Sequence, residues 1–253
     1  FSNYVWIYLI KKKSEVLEKF VEFVALAENL TEKRVKRIRS DNGGEFTSDA
    51  FLKYCKVRGI AREQTVPYTP QQNGVAERMN RTLMDNVRAM LYHANLPLNL
   101  WAEAVSTVVY LRNRSPTSSF KGETPYERIY NVKPNVEHLK VFGCIVYVHV
   151  PIEKRTKLDQ KALKGVFVGY PEGTKGYKVF LSDSKKMIRS RDVKFLEYKF
   201  DEFSDDSVPR ELLFKPEYFC PTEIAMEELE SETAKVDDDI MDVSEKENSE
   251  DEI

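Results

Sequence analysis

Two carboxylates, Asp41 and Glu77, are the residues of this 253-residue chain best placed by type and context to do chemistry. Asp41 follows the run Arg34–Ser40 (RVKRIRS), which has the make-up of a short strand, and precedes Asn42-Gly43-Gly44. Ligands and reacting groups in α/β sheets collect beyond the carboxyl ends of strands, and glycines let a metal ion or a phosphate approach the backbone. Glu77 stands in the first turn of a long amphipathic segment, where the helix dipole favours a carboxylate. Each has an ordinary alternative: a turn-forming Asp before glycine, and a helix-start Glu. As a pair from separate elements they offer the hard oxygen ligands that Mg²⁺ takes. In two-metal phosphoryl transfer the cations stand about 3.5–4 Å apart, so at least one carboxylate must bridge them.

The elements that would hold these groups can be read along the chain. Asn3–Ile10 (NYVWIYLI) is β-branched and aromatic, as a strand should be. Ser14 caps an expected helix over about 15–28, with Leu17, Val21, Val24 and Ala27 on one face. Ser48 caps a second helix that turns Phe51, Leu52 and Cys55 inward and stops at Gly59. Residues 59–67 form another strand, and the loop Tyr68–Gly74 (YTPQQNG) leads into a helix over about 75–93. Its expected buried stripe is Val75, Met79, Leu83, Val87, Met90 and Leu91, with Arg78, Arg81, Asp85 and Arg88 on another face. A helix over 99–114 buries Trp101, Val105, Val108 and Leu111, so the first part of the chain reads as α/β. After a connector through Thr124–Arg128 (TPYER), strand-like runs at 140–150, 162–170, 177–182 and 186–195 alternate with turn signals, the pattern of a small β-barrel.

The net charge of −2 hides an asymmetry. Pro221–Ile253 holds 14 Asp and Glu against 2 Lys and Arg, leaving 37 Lys and Arg against 27 Asp and Glu in residues 1–220. The stretch 138–200 alone has 14 basic and 6 acidic residues. A basic body with an acidic, largely disordered tail fits a polyanion-binding protein; a charged surface with a solubilising tail is the plainer reading. Cys55, Cys144 and Cys220 are too few for a disulfide framework, and they do not combine with His93, His138 and His149 at zinc-ligand spacing. A reducing compartment fits. No apolar run approaches the roughly 18 residues of a membrane span, and Phe1–Ile10 has no basic leader before it. A chain that opens on Phe inside a strand-like run reads as a fragment.

SDNGGEF (Ser40–Phe46) and VPYTPQQNGVAERMNRTL (Val66–Leu83), with 35 residues between Asp41 and Glu77, resemble the catalytic core of retroviral and retrotransposon integrases. WAEAV (Trp101–Val105), NRSPT (Asn113–Thr117), TPYE (Thr124–Glu127) and VFGC (Val141–Cys144) resemble the copia-type branch in particular, and the likeness covers about residues 1–198. The resemblance implies an RNase H-like integrase core, N-terminally truncated, over 1–116, a connector over 117–137, a basic SH3-like barrel over 138–200 and an acidic tail over 201–253. It implies that Asp41 and Glu77 bind Mg²⁺ (or Mn²⁺) for 3′-end processing and strand transfer of element DNA into host DNA. It places Tyr68, Pro70, Gln71, Gln72, Asn73 and Gly74 in a mobile loop that contacts the element's DNA end, with Asn80 and Arg81 near phosphates. The barrel cations Lys157, Lys161, Lys164, Lys185, Lys186, Arg189 and Arg191 would contact the DNA backbone without reading sequence. Family members work as multimers, in the nucleus after assembly in cytoplasmic virus-like particles.

The family's third carboxylate, an Asp on the first strand of the sheet, would precede Phe1, as would a His/Cys zinc domain. The expectation is therefore that these residues by themselves neither join DNA ends nor fold robustly. Two other readings stand beside the integrase: a domesticated, non-catalytic DNA- or chromatin-binding protein, and an interaction module acting through the acidic tail.

Overall fold

The computed structural model describes residues 2–64 and 74–200, together with the backbone of 222–225. In β1 (Arg37–Ser40) Ile38 and Ser40 are buried while Arg37 and Arg39 face out, the two-residue alternation of a half-buried strand. β1 pairs in parallel with β2 (Ala61–Gln64), from Arg37↔Ala61 to Ser40↔Gln64. Its other edge pairs antiparallel with β8 (Thr222–Ala225), giving the order β2-β1-β8. A parallel pair needs a crossover, supplied here by α2 (Gly44–Thr47) and α3 (Asp49–Arg58). Ser48 caps α3 by accepting the Phe51 N–H at 3.4 Å, and Gly59 ends it at φ +68°, as the sequence suggests. Phe51 and Cys55 are buried, but Leu52 points outward. α1 (Val16–Thr31) lays Phe20, Phe23, Val24 and Ala27 on the same core. Ser14 does not cap it: a short 3-10 turn, Lys13–Glu15, precedes it, and the Glu15 carboxylate accepts the Lys12 N–H at 2.9 Å.

The expected strand at 3–10 does not form. The segment runs outside any ladder, and its alternation is satisfied instead by two apolar clusters. Val5 and Ile7 pack against the core of the helices at 74–93 and 101–114, whereas Trp6 and Tyr8 pack against the α1–β1–α3 core. One side chain stands in for a partner strand. The buried carboxamide of Asn113 accepts the Val5 N–H at 2.9 Å and donates to the Val5 carbonyl at 2.8 Å.

α4 (Gly74–His93) and α5 (Trp101–Arg114) pack together through Leu83, Val87 and Leu91 against Ala104, Val105 and Val108. Val75 and Trp101, expected inside, are exposed near the starts of these helices. The stretch 117–137 contains a helix, α6 (Pro125–Tyr130), with Pro at its start. Thr124 Oγ1 accepts the Glu127 N–H, and the Glu127 carboxylate accepts the Thr124 N–H.

Five antiparallel strands follow in the order β6-β5-β4-β3-β7: β3 (Cys144–His149), β4 (Ala162–Gly169), β5 (Tyr177–Leu181), β6 (Lys186–Ser190) and β7 (Val193–Phe200). In a flat sheet β5 and β7 would lie roughly 14 Å apart, three strand spacings. The rings of Tyr177 and Phe195 nevertheless meet at 4.7 Å, so the sheet curls over its own interior of Cys144, Val146, Val148, Phe167 and Val179. Bulges at Cys144/Ile145 and Phe167/Gly169 accompany the bend.

The outside of the curled sheet joins the helical core through Phe142, Val166 and Val168. Two glycines make that approach possible. At Gly143 (φ +82°) a Cβ would stand 2.1 Å from Ala94 Cβ, and at Gly169 (φ +140°) 2.4 Å from Thr107 Oγ1. Beside this seam Tyr110 stacks on Tyr170 at 4.3 Å, and its hydroxyl lies 2.6 Å from His138 Nε2. Burial, reinforced by the Arg114 guanidinium, holds the His138 pKa below its usual value.

Gly143→Ala combines a left-handed φ with a backbone-deep clash, and we expect it to cost ~2–4 kcal/mol in denaturant unfolding. Gly173→Ala, at φ +67° with nothing within 4 Å, should cost only the conformational ~1–2 kcal/mol. A depressed histidine binds its proton more readily in the unfolded chain, so His138 contributes stability above its ordinary value of about 6.5 that is lost as the pH falls. His138→Gln should flatten the decline of melting temperature between about pH 7 and pH 5; an unchanged slope would show that another group causes it.

Candidate metal and nucleic-acid site

Asp41 leaves β1 directly after Ser40, the register partner of Gln64 at the end of β2. Because the two strands are parallel, Asp41 and Gln64 lie at the same carboxyl end of the sheet, where α/β proteins place ligands. The Asp41 loop is tied down locally. Its Oδ1 accepts the Gly43 N–H at 3.0 Å, and the Gly43 carbonyl accepts the Phe46 N–H at 3.0 Å. Phe46 is buried edge-on against Phe51, and the Arg62 guanidinium donates to the Phe46 carbonyl at 2.7 Å. These contacts let a polar loop sit rigidly on the end of an apolar layer.

A third carboxylate lies in this loop that sequence reasoning did not single out. The Glu45 side chain is 5% exposed, with Oε1 3.4 Å from Lys13 Nζ. A Cβ on Gly43 would stand 2.9 Å from Glu45 Oε1 and 3.0 Å from Asp41 Oδ1, so both carboxylates line one side of that glycine. Gly44 has nothing within 4 Å of its Cβ position, so of the two glycines only Gly43 makes room for acids. The signal in the sequence was the short spacing within DNGGE (Asp41–Glu45).

Glu77 is exposed in the first turn of α4, as expected. Arg78 folds back over Gly74, whose Cβ position lies 3.2 Å from the Arg78 Nη1. Asn80 is half-buried and Arg81 exposed one turn on. Arg88 is engaged by Asp85 at 2.8 Å and belongs to a solvated helix face. Tyr68, Pro70, Gln71, Gln72 and Asn73 lie outside the described residues. Among the described residues no three His, Cys, Asp or Glu side chains converge as a metal group. Asp41 and Glu77 have the donor chemistry for a hard cation, since Mg²⁺ is commonly held by one or two carboxylates and completes its shell with water.

In the curled sheet, Lys185 sits at φ +52° in the turn between β5 and β6. Lys186 and Arg189 then fall on opposite faces of β6: Lys186 shares a side with Ile188, and Arg189 shares the other with Met187. Arg191 is exposed with Asp192 at 3.7 Å. The run 185–191 therefore does not form one basic surface.

Residues 144–209 match the family described as the retroviral polymerase SH3-like domain. The chain is 49% identical over 207 residues to the retrovirus-related Pol polyprotein from transposon TNT 1-94 of Nicotiana tabacum, covering 81% of this chain and 16% of that protein. It is 36% identical over 200 residues to the Pol polyprotein from transposon RE1 of Arabidopsis thaliana, covering 79% of this chain and 14% of that one. The chain thus spans about one-seventh of the length of these relatives. Among solved structures, a simian T-cell lymphotropic virus intasome in complex with the PP2A regulatory subunit B56 gamma aligns with TM-score 0.43 at 20% identity, over 77% of this chain and 69% of that one. The HTLV-2 integrase catalytic core domain in complex with magnesium aligns with TM-score 0.40 at 24% identity, over 51% of this chain and 78% of that one.

Proposed function

We propose, for a chain that belongs to the retrovirus-related Pol polyproteins of transposons, that it forms part of the DNA integrase of such a polyprotein. The observation that carries this reading is the position of Asp41. It stands at the carboxyl end of the parallel β1–β2 pair, in a loop fixed by Gly43, Phe46 and Arg62, beside the strand from which the chain continues to α4 and Glu77.

In this reading Asp41 and Glu77 hold a divalent metal, Mg²⁺ or Mn²⁺, by carboxylate oxygens. A metal bound there supplies an activated water for 3′-end processing, or an oriented DNA 3′-hydroxyl for strand transfer. The chain's own residues position the DNA. Asn80 and Arg81, on the first turns of α4, hold a phosphate, and Tyr68, Gln71, Gln72 and Asn73 contact the element's DNA end. The attack is an in-line displacement at phosphorus with the 3′ oxygen leaving, so positioning and charge stabilisation carry the rate and no covalent enzyme intermediate is required. Lys185, Lys186, Arg189 and Arg191 add sequence-independent phosphate contacts. The protein works as a homo-multimer on element and target DNA, in the nucleus.

The test is metal-dependent joining of labelled element ends to a target duplex by the polyprotein-derived protein that contains this chain. Asp41→Asn and Glu77→Gln should each lower joining roughly a hundredfold or more, as losses of electrostatic groups at a reacting centre do. Both should also weaken Mn²⁺ binding in calorimetric titration. Joining at the unaltered rate in either variant would remove the catalytic reading and leave the non-catalytic DNA-binding one.

A further inference from the structure

Among the described residues, the outer face of the curled sheet is covered at one end only. Val166 and Val168 of β4 are buried against the helices, while further along the same strands the face is open. There Tyr147 of β3 has Lys164 of β4 on one side and Lys194 of β7 on the other as direct register partners. Residues opposed in a ladder point to the same face, with Cβ atoms about 4.5–5.5 Å apart. The result is a row Lys164–Tyr147–Lys194 across three strands. Tyr147 is 39% exposed although its chain neighbours Val146 and Val148 are buried, so its ring lies on the outer side. The rows above and below on this face, Val166–Ile145–Leu196 and Ala162–His149, contain no carboxylate.

One aromatic ring between two ammonium groups has a definite chemical selectivity. The cations attract any polyanion and give salt-dependent binding. The ring adds affinity only for a base whose face is free, because the bases of a duplex are already stacked on one another. We propose that this face binds an unpaired DNA strand, with a base stacked on Tyr147 and a flanking phosphate held by Lys194. The choice of DNA rests on the integrase reading above, in which strand ends are the substrate.

The proposal is tested by fluorescence anisotropy of the full chain with labelled oligo(dT), oligo(rU) and a duplex of equal length. Tyr147→Leu should weaken oligo(dT) binding about tenfold and leave duplex binding within about twofold, while Tyr147→Phe keeps both. Lys194→Gln should lower the salt slope for oligo(dT) by about 0.7. Equal loss on duplex and oligo(dT), or no loss on either, overturns the proposal, and tighter binding of oligo(rU) than of oligo(dT) overturns its assignment to DNA. Should Tyr147→Leu lower the melting temperature, Tyr147→Trp gives the same answer: its fluorescence should be quenched by oligo(dT) and not by the duplex, and the absence of quenching counts against stacking. Joining that survives Asp41→Asn removes the catalytic reading without touching these titrations, and a failed titration leaves the joining assay as it stands.

Discussion

The close approach between the curled sheet and the α4–α5 pair is the constraint on which the rest of the structure depends. Bare backbone at Gly143 and Gly169 lets the sheet come within van der Waals reach of Ala94 and Thr107. That approach brings Val166, Val168 and Phe142 into the helical core. The core in turn supports the inner side of the 3–10 segment, whose other side closes the α1–β1–α3 layer. The loop of Asp41 rests on that last layer through Phe46. A chain of apolar contacts thus runs from the sheet to the carboxylate that anchors the functional reading. Any side chain at Gly143 would pry it apart at its first link.

What the sequence revealed and what it concealed divide along physical lines. α4 and the body of α5 were readable because Leu83, Val87, Leu91, Val105 and Val108 recur at helical spacing and are buried. Three strands of the curled sheet were readable from β-branched runs between turn residues, whereas the single run expected over 186–195 is two strands, β6 and β7, with the chain turning at Arg191-Asp192. Leu52, Val75 and Trp101 were misplaced because hydrophobicity alone does not say which apolar residues near helix ends find a partner. The helix at 125–130 was overlooked although its Thr-Pro-Tyr-Glu start is a capping box with Pro at the first position. The segment 3–10 has the pattern of a strand because it too alternates between two faces; which backbone groups it pairs with is decided by the tertiary structure, here by Asn113.

At the candidate site the positions of Asp41 and Glu77 followed from local signals, a strand end before glycines and a helix start after a polar loop. The Glu45 carboxylate did not, because its burial depends on Lys13 and on the missing Cβ of Gly43, neither of which has a signature in a single sequence. The basic residues of 185–191 are neighbours in the sequence, and the sheet sets Lys186 and Arg189 on opposite faces. The row Lys164–Tyr147–Lys194 is assembled from residues far apart in sequence, and only the register reveals it.

The extended 3–10 segment carries a consequence for how the molecule responds to damage. Val5 and Ile7 serve one apolar cluster and Trp6 and Tyr8 the other, so the same few peptide units are held in place from both sides. Loosening either cluster frees the backbone that the other relies on. Substitutions at Trp6 and at Val105, on separate elements and in separate clusters, should therefore not act independently: their free energies should fail to add, as expected of sites coupled through a shared stretch of backbone. The segment works as a shared hinge pin that ties the two cores to one stretch of backbone.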